Sequence, residues 1–109
     1  MIKISILSIL IITSCNQNDE IIKLLSSDET NDIVAGAYKA GETHEKKFVP
    51  FLLKDAYDPS MSTDLFYKGI TVYQAKMTAL EKILNVKAPK VITYQPDSAV
   101  LKYFMNLTK

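Results

Sequence analysis

Apolar residues recur along this chain at helical spacing, and nowhere do they alternate with period two for long enough to seed a sheet. The clearest case is 70–86, where Tyr73, Met77, Leu80 and Leu84 share one face with Val72, Ala79 and Ile83 beside them. Lys76, Glu81 and Lys82 are placed on the outer face of that helix. Upstream, Ile21, Ile22, Leu24 and Leu25 make a short apolar stretch within 20–26, too brief to stand alone. The polar run 26–31 is turn and cap chemistry. A second helix is predicted over 32–41, with Gly41 as its C-cap and the small residues Ala35, Gly36 and Ala37 suited to close approach of a neighbour. A third covers 46–57 through Phe48, Val49, Phe51, Leu52, Leu53 and Ala56. Pro50 is tolerable there only if the helix starts just before it, where backbone N–H groups lack partners anyway. A longer loop follows at 58–63, and Pro89 ends the 70–86 helix. Residues 91–94 read as extended, a single edge segment at most. Pro96 and Asp97 then open a last helix to Leu107, with Val100, Leu101, Phe104 and Leu107 apolar. The fold class is all-α.

The amino terminus reads as an address. Lys3 supplies a positive start, and 4–12 is an apolar run broken only by Ser5 and Ser8. Nine helical residues rise about 14 Å, half of a roughly 30 Å hydrocarbon core. A signal-peptide core therefore fits better than a permanent membrane span. The run ends in Ile12-Thr13-Ser14-Cys15, which resembles a bacterial lipobox. The resemblance implies cleavage after residue 14, diacylation of the Cys15 thiol and usually a further acyl chain on its new amino group. Two or more chains give stable anchoring. The sequence after Cys15 lacks the aspartate that retains many Gram-negative lipoproteins in the inner membrane. The early pair Asp19-Glu20 resembles surface-export signals of Bacteroidota lipoproteins, and serves equally as favourable charge at a helix N-terminus. This places the protein in the cell envelope, in the outer membrane and at the cell surface if the source is Gram-negative. Only 16–20 separate Cys15 from the first apolar helical pattern, a reach of at most about 18 Å.

Composition narrows the classes. A chain of 109 residues allows one domain. Hydrophobic content of 48% with 23% charged residues is globular rather than disordered. All 13 basic residues are lysine and the net charge is +1, so no basic face argues for nucleic acid. Removing 1–14 takes away Lys3 and no acid, leaving lysines and acids in equal number. One cysteine excludes a disulfide framework and a thiolate metal cluster.

Leu24-Leu25-Ser26-Ser27-Asp28-Glu29, Asp32-Ile33-Val34 and 35–42 together resemble a HEAT repeat of the kind shared with phycobilisome lyases. That pattern is a leucine-rich helix, a polar turn with Asp, and an Ala-rich helix ending in Gly-Glu. Lys47-Phe48-Val49-Pro50-Phe51-Leu52-Leu53 is similar to the start of the following unit, and Ala79-Leu80-Glu81-Lys82-Ile83 to the core of its second helix. The resemblance implies a short α-α superhelix of about two helical pairs over 19–86. The signal peptide at 1–14 and the lipidated Cys15 with its tether at 15–18 precede it. An extended linker and capping helix at 87–109 follow. Solenoids of this kind generally need about three repeats to bury their faces, so the chain is capped by its last helix, completed by a partner or second copy, or a remnant of a longer array.

Candidate chemistry is thin. His44 is the only histidine, with no His-Glu-x-x-His pattern for zinc. The remaining acids lack the spacing of a calcium loop, and no cofactor motif is present. His44 reads as a helix cap or solvated residue that could also meet a partner. Phe66 and Tyr67, in or beside the long loop, are the other candidate partner-binding residues, because aromatic side chains supply interface area with a polar handle. The bland reading packs them on Phe51 and Tyr73. The leading functional expectation is thus a membrane-anchored, non-enzymatic protein-interaction module of the envelope, with a homo-oligomer left open. The alternatives are a small immunity or inhibitor lipoprotein, and an accessory subunit of an enzyme.

Overall fold

The computed structural model describes residues 17–109. Cys15 and the leader at 1–14 lie outside the described residues. Helix α1 spans 17–25, followed by α2 (Thr30–Thr43). A 3-10 turn (Lys46–Phe48) leads into α3 (Val49–Leu53). Then come α4 (Val72–Leu84) and α5 (Ser98–Leu107). Among the described residues there is no strand; one isolated antiparallel bridge joins Met61 to Thr71. The all-α expectation holds, and no helix among the described residues is long and apolar enough to cross a membrane.

Pairing follows from the small residues. α1 and α2 form an antiparallel hairpin in which Glu20 bonds Lys39 at 3.1 Å at one end. At the other end the Gly36 backbone lies so close to α1 that a Cβ there would sit 2.8 Å from the Leu24 Cβ. The close approach read from Ala35-Gly36-Ala37 is therefore made. Gly→Ala inside a helix ordinarily gains about 1 kcal/mol, but here the new methyl must push α1 away. Gly36→Ala is expected to lower stability by about 1–3 kcal/mol, measurable by urea unfolding. A stabilised variant would mean that α1 does not pack as described.

Gly41 is not the C-cap. It is buried inside α2, and a Cβ on it would meet the Ala79 backbone at 3.2 Å. The left-handed residue that ends α2 is His44, at φ 56°. Gly41 beside Ala79 and His44 beside Lys82 share an offset of 38 residues, so α2 and α4 run side by side in the same direction. This is the most extensive contact among α2–α5.

The predicted helix over 46–57 is cut short. Its start is as the proline requires, with Pro50 in the first turn. It stops at Leu53, because Lys54 turns extended and Asp55 is left-handed at φ 49°. α4 is entered through a capping box: Thr71 Oγ1 accepts the Gln74 N–H at 3.0 Å, and Gln74 Oε1 accepts the Thr71 N–H at 3.4 Å. It ends on left-handed Asn85. Residues 91–94 form no strand, and Val91 stays exposed. Asp97 caps α5 by accepting the Ala99 N–H at 2.8 Å. α5 docks on α3 and α4 through the buried Val100 and Phe104. The core runs from Ile21 and Leu25 through Val34, Phe48 and Leu52 to Met77 and Leu80. Tyr73 is fully buried, and its hydroxyl, close to the Asp97 backbone, meets no partner with hydrogen-bond geometry among the described residues.

Candidate partner-binding surface

The segment joining α3 to α4 is long but not loose. Asp58 turns it by accepting the Ser60 N–H at 2.9 Å. Ser62 is buried and ties the loop to α2, its hydroxyl donating to Asn31 Oδ1 at 3.0 Å. The same Asn31 oxygen accepts the Thr63 N–H at 2.9 Å. The loop closes on itself where the Ser62 N–H donates to the Ile70 carbonyl at 2.8 Å and the Gly69 N–H to the Ser62 carbonyl at 2.9 Å. Gly69 sits at φ 83°, a left-handed geometry that suits glycine. At the tip, Asp64 Oδ1 accepts the Phe66 N–H at 2.9 Å.

This network fixes what the loop displays. Tyr67 turns inward and stacks on Tyr38 of α2, ring centroids 4.7 Å apart at 17°. Lys82 lies 5.9 Å from the Tyr38 ring on the same surface. Burial raises the Tyr38 hydroxyl pKa, and the neighbouring Tyr67 adds to the rise. Leu65 and Phe66 point to water, 88% and 84% exposed. Of the two aromatic candidates, Tyr67 therefore packs, though on Tyr38 rather than on Phe51 or Tyr73, and Phe66 is free to meet another surface. A lone exposed apolar residue is ordinary, but two adjacent ones on a pinned tip form a patch.

His44 lies apart from this tip. It ends α2, and its Nδ1–H donates to the Lys82 carbonyl at 3.0 Å, the proton placement following from the acceptor. That carbonyl belongs to the last turn of α4, where no intrahelical donor is available. The imidazole thus pins the end of α2 to the end of α4, as a helix cap would.

Sequence reasoning missed Lys76. Placed on an outer face by periodicity, it is 3% exposed, with its Nζ donating to the Lys54 carbonyl at 2.6 Å. The short α3 leaves its C-terminal carbonyls open, and the lysine answers one of them. Burial pushes the Lys76 pKa down, offset in part by Asp55 and Asp58, while Lys54 lowers it further. The amine lines a cleft of about 390 Å³ between the α1–α2 turn and the end of α3. Leu25, Ile33, Pro50, Phe51 and Val72 give this cleft an apolar floor, with Asp28, Asp55 and Asp58 also lining it.

The lowered pKa sets a sign. The unfolded chain holds the Lys76 proton more tightly than the fold does, so this group's contribution to stability rises as pH climbs from the folded pKa toward about 10.5. Tyr38 and Tyr73, raised by burial, work the other way above about pH 10. The expected result is that the alkaline stability curve of Lys76→Met falls more steeply than that of the parent chain. Parallel curves in chemical unfolding would place the amine in water.

Among the described residues no group of three or more His, Cys, Asp or Glu side chains is arranged to hold a metal ion. No family model, curated protein or solved structure matches this chain.

Proposed function

We propose that this protein is a lipid-anchored interaction module of the bacterial cell envelope, tethered through Cys15 and meeting a protein partner with the Leu65–Phe66 tip. The observation that carries the interaction is the tip itself. A loop held by side-chain bonds to α2 keeps two large apolar groups in water, an arrangement that lowers stability in isolation and is offset when a partner covers it. The lipobox-like Ile12-Thr13-Ser14-Cys15 carries the anchor. With α1 already formed at residue 17, the domain sits close to the headgroups and meets partners beside the membrane.

The HEAT-like reading is supported by the parallel course of α2 and α4 at an offset of 38 residues, close to the period of HEAT and armadillo units. In that reading α1–α2 and α3–α4 are successive hairpins, and α5 closes the exposed end.

The anchor and the tip are tested separately in cells making the full chain. Cys15→Ser is expected to shift the protein out of the membrane fraction with altered mobility. Leu65→Ser/Phe66→Ser is expected to abolish co-purification of envelope protein while leaving helical circular dichroism unchanged. Undiminished co-purification by the double variant would refute the role of the tip.

A further inference from the structure

The tip and the cleft lie on one molecule and complement each other. The tip offers two apolar side chains, with the exposed Lys68 two residues beyond Phe66. The cleft offers an apolar floor and three carboxylates against two lysines, one of which, Lys76, is directed to the Lys54 carbonyl. At about 390 Å³ it falls at the small end of ligand-sized cavities. The tip does not fill the cleft of its own chain, since Asn31 and Tyr38 hold the loop along α2 and leave Phe66 84% exposed.

We infer that the cleft receives the Leu65–Phe66 tip of a second copy of this chain, in a reciprocal exchange that closes a two-fold dimer. This deepens the proposed interaction role by naming its partner, and rests on that reading. Phe66 of one copy enters the apolar floor near Phe51, and its Lys68 ammonium meets the carboxylates of Asp28, Asp55 and Asp58. Asp58 both lines the cleft and opens the loop, so tip and cleft are neighbours in the chain. That proximity favours reciprocal closure over an open head-to-tail chain, the other outcome when a protrusion and its pocket share a molecule. Anchoring two copies in one membrane raises their effective concentration, so a contact of modest strength suffices there.

The test is sedimentation of the full chain, extracted from membranes in mild detergent, over a range of protein concentrations. A monomer–dimer equilibrium is expected. Phe66→Ser should raise the dissociation constant about thirtyfold or more, as loss of a central aromatic anchor does. Lys68→Glu and Asp28→Lys should each raise it up to about fivefold, and the double variant should recover most of that loss. Phe66 and Lys68 are exposed, and circular dichroism confirms that the variants stay folded. A monomer at every concentration overturns the inference, as does a dimer indifferent to Phe66→Ser. If the monomer binds phosphatidylcholine vesicles through Phe66, the tip meets a bilayer and the dimer is equally excluded. A monomer whose Phe66→Ser variant still loses an envelope partner leaves the interaction role standing and removes only the second copy.

Discussion

Phe104→Ala is expected to lower the unfolding free energy by about 3–5 kcal/mol. Phe104 is fully buried, and with Val100 it is one of only two fully enclosed side chains that α5 contributes to the core. Its ring is met edge-on by Tyr103 at 5.2 Å. The rest of the helix is held lightly: Leu107 is about half exposed, and the Lys90–Asp97 pair at 3.4 Å is a surface contact. A domain of this size is stable by roughly 5–15 kcal/mol, so one ring carries a large share. Leu107→Ala, on the same helix but exposed, is expected within about 0.5 kcal/mol of the parent. Urea unfolding followed by circular dichroism separates the two. Equal effects would show that α5 is not docked through Phe104.

Leu80→Ala comes next, at about 2–5 kcal/mol. Leu80 lies at the middle of α4, fully buried, on the helix that contacts α2, α3 and α5. A cavity there sits where the elements converge, and neighbouring side chains have little room to collapse into it. The loss should appear as a lowered midpoint with an unchanged slope, since the fold unravels as one unit. A midpoint unchanged within error would contradict the arrangement of the core.

These two residues mark how far the sequence could be read. The apolar spacing of Tyr73, Met77 and Leu80 in α4, and of Val100 and Phe104 in α5, named the core faces directly, and all five are buried. Residues whose role depends on a distant partner were misplaced. Gly41 has the residue type of a C-cap and acts as a contact for Ala79, 38 positions away. Lys76 belongs by periodicity to the wet face and is buried because α3 ends early and leaves the Lys54 carbonyl open. That early end lies in the left-handed Asp55, which a run of apolar residues does not announce. The tip was legible only as two aromatics near a loop. Which of them packs is decided by Tyr38 and Asn31, both on α2 and about thirty residues upstream.

The most direct test of the central claim, that a pinned tip on a membrane-tethered domain makes the protein's contact, is photo-crosslinking in intact cells. A benzophenone amino acid is placed at position 66 of the full chain, with position 42, an exposed site on α2, as control. The account predicts a light-dependent protein adduct in the membrane fraction from position 66, well above that from position 42. An equal or absent adduct at position 66 would contradict it.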